Sequence, residues 1–190
     1  YQNAAGLKGR TLGIIGLGSI GRALAKLAKG LNMRVIAWSR SLTPDKADKL
    51  DLVYCESIDE VAANADVISV HLAVTPDTKH LLNTKFFNKM KDEAIFVNTS
   101  RGEIVDTAAL HKAIDEKTLR VGLDVFENEP GSGLAEFDQT DLAGSITCTP
   151  HIAASTNQAS EAIADEVVRI VDSLIKTGKP INAVNSRNKT

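Results

Sequence analysis

The residues of this 190-residue chain that can do chemistry fall in a few short stretches. Gly16-Leu17-Gly18-Ser19-Ile20-Gly21 places three glycines at the spacing of a phosphate turn. Gly16 permits a tight bend, Gly18 lets a pyrophosphate approach the backbone, and Gly21 lets helix and strand pack closely. The N–H groups of Ser19 and Ile20, at the start of the following helix, then face an anion. Further on stands Ser39-Arg40-Ser41. A site for NAD usually has Asp or Glu at that point, to hold the ribose hydroxyls. A guanidinium flanked by two hydroxyls suits a 2′-phosphate instead, so the expected cofactor is NADP over NAD. Three more stretches are rich in polar groups: Asn98-Thr99-Ser100-Arg101-Gly102, Asp124-Val125-Phe126-Glu127-Asn128-Glu129-Pro130, and Thr149-Pro150-His151. Together they offer one arginine, several carboxylates and one histidine.

The elements that must position these groups alternate along the chain. Short apolar runs predict strands over 11–16, 34–38, 52–55, 66–72, 94–99, 120–126 and 145–149. Helices are expected over 19–29, 43–50, 57–65, 84–90, 106–116 and 156–176. The first helix has its apolar residues at Ile20, Ala23, Leu24, Leu27 and Ala28, and that row is expected to be its buried face. The acidic, glycine-rich segment 127–141 reads as a loop. The strands are near-continuous apolar runs without period-two alternation, which is the pattern of parallel strands covered on both faces. The expected fold is therefore a doubly wound α/β parallel sheet of about seven strands, a Rossmann-type arrangement, in a single domain over 1–190. The polar stretches then all lie at carboxyl ends of strands, where open α/β sheets bind ligands.

Composition removes several classes. The chain is 43% hydrophobic and 24% charged, with net charge −2, which excludes disorder and argues against a general nucleic-acid or membrane-surface binder. No apolar run approaches the roughly 18 residues of a membrane helix. The two cysteines, Cys55 and Cys148, read as free thiols of a reducing, cytoplasmic setting. No metal-ligand spacing is present. The chain opens at Tyr1 and its only methionines are Met33 and Met90, so a piece of a longer protein is expected.

The glycine turn, the N-x-x-R-G turn at Asn98–Gly102, the D-V-F-x-x-E-P loop at Asp124–Pro130 and the P-H pair at Pro150-His151 occur in order. In that combination the chain resembles the D-isomer-specific 2-hydroxyacid dehydrogenases over essentially its whole length. Within that family it is most similar to D-3-phosphoglycerate dehydrogenases, with hydroxypyruvate and glyoxylate reductases close by. The resemblance implies that Arg101 grips the substrate carboxylate and carbonyl. It implies that His151 exchanges a proton with the substrate 2-oxygen, and that Glu129 pairs with that histidine, Glu127 being a near competitor. Asp124 would meet the nicotinamide carboxamide, and Leu72, Thr78, Thr99 and Ser100 would complete the cofactor pocket. His71 would be structural or near the adenine, and His80 and His111 surface residues. Two positions depart from the NAD-using pattern: Ser39, where an acid is usual, and Ala73, where proline is common. The family arrangement also implies a substrate domain absent from this chain and a homodimer in the full-length protein. A dinucleotide-sensing corepressor module is the reading from a different functional class.

Overall fold

The structure is a computed structural model, and it describes residues 6–129 and 144–184. Seven strands are present: β1 (Thr11–Ile15), β2 (Arg34–Trp38), β3 (Val53–Tyr54), β4 (Val67–Val70), β5 (Ile95–Asn98), β6 (Arg120–Leu123) and β7 (Thr147–Cys148). Between them run α1 (Ser19–Gly30), α2 (Pro44–Lys49), α3 (Ile58–Asn64), α4 (Thr84–Lys89) and α5 (Thr107–Lys117), and α6 (Asn157–Thr177) follows β7. The sheet order is β3-β2-β1-β4-β5-β6-β7, with every neighbouring pair parallel. The order reverses at β1, beside β4, and this is the switch point at which such sheets take ligands.

Both faces of the central strands are buried, as their unbroken apolar runs require. All five β1 residues are buried. Leu12 and Ile14, with Val35 and Ala37 of β2, join one apolar cluster. Ile15 and Ile36 join the other, which is centred on the edge-to-face rings of Phe86, Phe87 and Phe96. Alternate residues of one strand thus serve two cores.

The buried face of α1 differs from the expected row. Gly21, Ala25 and Ala28 face inward, whereas Ile20 and Leu27 are 69% and 68% exposed. The reason is close approach: a Cβ on Gly21 would lie 2.4 Å from the Gly16 carbonyl oxygen, so only the smallest side chains fit on that face. Several strands are also shorter than their apolar runs. β4 ends at Val70 and β6 at Leu123, because the chain then leaves the ladder to build the loops at the carboxyl edge. Of the expected loop over 127–141, residues 130–141 lie outside the described residues.

The chain divides into two compact units, Tyr1–His151 and Ile152–Thr190. The whole sheet belongs to the first. In the second, the Thr156 hydroxyl caps α6 by accepting the Ala159 N–H at 3.1 Å, and Gly178 closes the helix at φ +71°. Ile163, Val167, Val171 and Leu174 recur along α6 at helical spacing.

Candidate functional site

The glycine turn joins β1 to α1 at the switch point. Gly16 has φ +98°, and a Cβ there would come within 2.5 Å of the His71 carbonyl oxygen and 3.0 Å of the Leu72 side chain, so the turn needs glycine. Gly18 has open space where its Cβ would be. Five of the helices, α2 to α6, start with a side-chain oxygen accepting a first-turn N–H, from Thr43, Ser57, Asn83, Asp106 and Thr156. α1 starts at Gly18 with no side-chain cap and no acid in its first turn. The exposed N–H groups of Ser19 and Ile20 and the open space over Gly18 fit the pyrophosphate of a dinucleotide.

At the end of β2, Ser39 and Ser41 line a cleft of about 280 Å³. Its other polar walls are Arg22, Lys46 and Lys49, and no carboxylate lines it. Lys46 is held there by its Nζ donating to the Ser41 carbonyl at 2.9 Å, and Arg22 by its Nε donating to the Leu17 carbonyl at 3.3 Å. Arg40 is exposed and does not line this cleft. The positive lining therefore comes from α1 and α2, which the sequence reading passed over, as well as from the strand end it singled out.

The exit of β4 forms the next wall. Leu72 abuts the glycine turn, and His71 places Nε2 2.9 Å from the Ser69 hydroxyl. Burial lowers the His71 pKa from its ordinary value, which favours a neutral ring. The Thr78 hydroxyl accepts from the Thr75 N–H at 2.7 Å and donates to the Ala73 carbonyl at 2.8 Å, so it closes the turn that follows. Cys55 is buried, and burial, reinforced by the nearby Glu60 charge, pushes its thiol up to about 11, which disfavours the reactive thiolate.

After β5, Asn98 organises the arginine turn. It is 1% exposed; its Oδ1 accepts from the Ser100 N–H at 3.0 Å and the Ser100 hydroxyl at 2.7 Å. Its Nδ2 donates to the Arg101 carbonyl at 2.9 Å. Thr99 and Arg101 are left exposed at the edge, with the Arg101 guanidinium donating to the Ser100 carbonyl at 2.6 Å. Asn98 was visible only as the first letter of a motif; a buried amide closing its own strand, as here, is the signal for a turn organiser.

The loop after β6 packs directly on this turn. A Cβ on Gly102 would lie 1.9 Å from the Phe126 carbonyl carbon, so the two backbones touch. Asp124, 3% exposed, accepts the Thr149 hydroxyl from beyond β7 at 2.5 Å. Glu129 turns back on its own loop, taking the Phe126 N–H on Oε1 at 2.5 Å. Its Oε2 lies 2.6 Å from His151 Nδ1. His151 sits in the left-handed region at φ +54°. Glu127 points elsewhere, to His80 Nε2 at 2.5 Å and the Thr107 hydroxyl at 2.8 Å. Burial works to raise the Glu127 carboxyl, but the His80 and Thr107 hydrogen bonds outweigh it and hold the group below its ordinary value. The competition between the two acids is thereby resolved: Glu129 takes His151, and His80 is a hydrogen-bonding partner of Glu127 rather than a bare surface residue.

A parallel sheet with an uncapped glycine-turn helix at its switch point, and a carboxylate–histidine pair on the same edge, defines an α/β domain of the dinucleotide-binding class. Over residues 2–153 the chain matches the NAD binding domain of the D-isomer specific 2-hydroxyacid dehydrogenases, and it belongs to that family. It is 40% identical over 181 residues to a glyoxylate reductase of Thermococcus litoralis, covering 95% of this chain and 53% of that protein. To the chloroplastic D-3-phosphoglycerate dehydrogenase 2 of Arabidopsis thaliana it is 37% identical, over 95% of this chain and 28% of that one. The solved D-lactate dehydrogenase with NAD+ from Lactobacillus jensenii superposes with a TM-score of 0.81 at 30% identity, covering 94% of this chain and 56% of that one. The chain spans about half the length, or less, of these relatives. By name they are all oxidoreductases, which gives the corepressor reading no support.

Proposed function

We propose that this chain is the dinucleotide-binding part of a dehydrogenase that interconverts a D-2-hydroxy acid and its 2-oxo acid, of the 3-phosphoglycerate, hydroxypyruvate or glyoxylate class. The observation that carries it is the His151–Glu129 pair, 2.6 Å apart on the same sheet edge as the glycine turn. Glu129 occupies Nδ1, which leaves Nε2 to give a proton to, or take one from, the substrate 2-oxygen. The carboxylate opposes the charge that forms on the ring and fixes its orientation. Arg101, exposed on the adjoining loop, offers a planar fork to the two oxygens of a 2-oxo acid. Asp124, which accepts the Thr149 hydroxyl, would meet the carboxamide of the cofactor, and Ser100 and Leu72 would lie beside it. A bound nicotinamide supplies the hydride acceptor or donor.

The family binds NAD; the preference proposed here is for NADP. It is supported by the carboxylate-free cleft with Arg22, Lys46 and Lys49 around Ser39 and Ser41, and by the exposed Arg40 between those two serines in sequence. The remaining length of the relatives supports a substrate domain supplied outside residues 1–190. A cytoplasmic homodimer is the proposed assembly, as the family resemblance implies, and the two unpaired cysteines fit a reducing setting. The test is paired on one preparation. Dinucleotide is titrated first, and 3-phosphoglycerate and hydroxypyruvate are then assayed. Binding with weak or no turnover is expected, because catalysis needs the substrate held about 3–3.5 Å from the nicotinamide with water excluded. Failure to bind dinucleotide would remove the proposal, and turnover equal to that of a full-length enzyme would remove the need for a second domain.

A further inference from the structure

The loop that carries Glu129 is held by a second acid that takes no part in the proposed proton transfer. Glu127 reaches away from His151 and joins two other elements. Its Oε1 meets His80 Nε2 at 2.5 Å, on the segment between β4 and α4, and its Oε2 accepts the Thr107 hydroxyl at 2.8 Å, at the first residue of α5. His80 is itself fixed, since its N–H donates to the Glu103 carbonyl at 2.8 Å and its backbone sits at φ +50°. Between the two acids stands Asn128 at φ +61°. Beneath them is a void of about 10 Å³ bordered by Asn98, Gly102, Thr107, Phe126 and Glu127. The loop is thus held by the buried Val125 and Phe126 and the backbone contact of Phe126 with Gly102, and beyond them by the Glu127 side chain.

We infer that Glu127 is a positioning residue, and that the His80–Glu127–Thr107 clamp sets the loop so that Glu129 reaches His151. Three residues of this region, His80, Asn128 and His151, hold left-handed backbones that non-glycine residues adopt only at a cost. Such conformations persist where surrounding contacts over-determine them, and the clamp supplies those contacts on the side of the loop away from His151. With Glu127 truncated, residues 127–129 lose their side-chain tie to His80 and Thr107, while Val125 and Phe126 stay buried behind them. The turn beyond Phe126 that carries Glu129 then loses its second anchor, and a shift of about 1 Å takes a 2.6 Å contact out of hydrogen-bonding range.

The inference rests on the Glu129–His151 pairing, and the experiment separates the two. Ring nitrogen resonances of His151 are recorded on the intact chain by long-range proton–nitrogen correlation and assigned by comparison with His151→Gln. Glu129→Gln defines the displacement produced by loss of the pair. Glu127→Ala is expected to move the His151 resonances at least half as far in the same direction. Glu127→Gln, which can still accept the Thr107 hydroxyl, is expected to move them less. The His71 resonances should stay in place and the dinucleotide affinity within twofold of the parent, which a general loosening of the fold would not allow. Should Glu127→Ala fail to fold, Thr107→Val removes one arm of the clamp at constant shape and is expected to give a smaller shift of the same sign. His151 resonances unchanged in Glu127→Ala or Thr107→Val, with Glu129→Gln displaced, overturn the clamp alone. No displacement in Glu129→Gln overturns the pairing, and the clamp with it.

Discussion

His151 and Glu129 are joined through Nδ1 and Oε2 at 2.6 Å, while the other oxygen of Glu129 is held by the Phe126 N–H at 2.5 Å. The carboxylate is thus oriented before it orients the histidine. His151 keeps φ +54°, a conformation costing roughly 1–3 kcal/mol, in a position where the pair fixes its ring. In the protein completed by its substrate-binding part, His151→Ala is expected to lower kcat by about 10²- to 10⁴-fold with little change in KM, because proton transfer belongs to the transition state. Glu129→Gln should act in the same direction and less severely. Steady-state rates at saturating cofactor measure both, and an unaltered kcat in His151→Ala excludes the histidine from the chemistry.

Cofactor choice rests on the cleft beside β2. Lys46→Ala and Arg40→Ala are each expected to weaken NADPH binding by about tenfold, or ~1.4 kcal/mol, and to leave NADH within twofold. Calorimetric titration of both dinucleotides on each variant reads this out. A parent chain that prefers NADH would show that three nearby cations do not make a 2′-phosphate site.

Gly102→Ala puts a methyl group 1.9 Å from the Phe126 carbonyl carbon. No side chain stands there to move aside, so one of two backbones must shift, and a loss of about 1–3 kcal/mol in unfolding free energy is expected. The shift would also carry Glu129 away from His151. Urea midpoints of parent and variant give the energy; equal midpoints would mean that the contact is looser than it stands here.

His71 ties stability to pH. Burial lowers its folded pKa below the ordinary 6.5, so as pH falls the unfolded chain takes up the proton first. Its contribution is complete above about pH 6.5 and drains away as pH falls toward the folded value. Moving from about pH 7.5 to about pH 5.5 should therefore cost the parent more stability than it costs His71→Asn. Urea unfolding of the two proteins at both pH values tests this, and an equal loss in both would show that His71 is not the group responsible.

Much of this protein was legible in the residues taken in order. Glycine at 16, 18 and 21 and the run of apolar strands encode a turn and a parallel sheet through local constraints alone: φ beyond the reach of other residues at Gly16, and strands too apolar to have a wet face. The strand order around β1 and the place of Arg101, Asp124 and His151 at one edge follow from that alternation. Three things needed the folded chain. The buried face of α1 was set by how near Gly21 lies to Gly16, which overrides the larger apolar residues at Ile20 and Leu27. The cations beside Ser39 and Ser41 come from Arg22 and Lys46, on two helices whose approach depends on sheet register. The division of labour between Glu127 and Glu129 is a matter of direction: two like acids, two residues apart in one loop, differ only in what β4, α5 and β7 bring within about 3 Å of each, and that distance is a property of the tertiary structure.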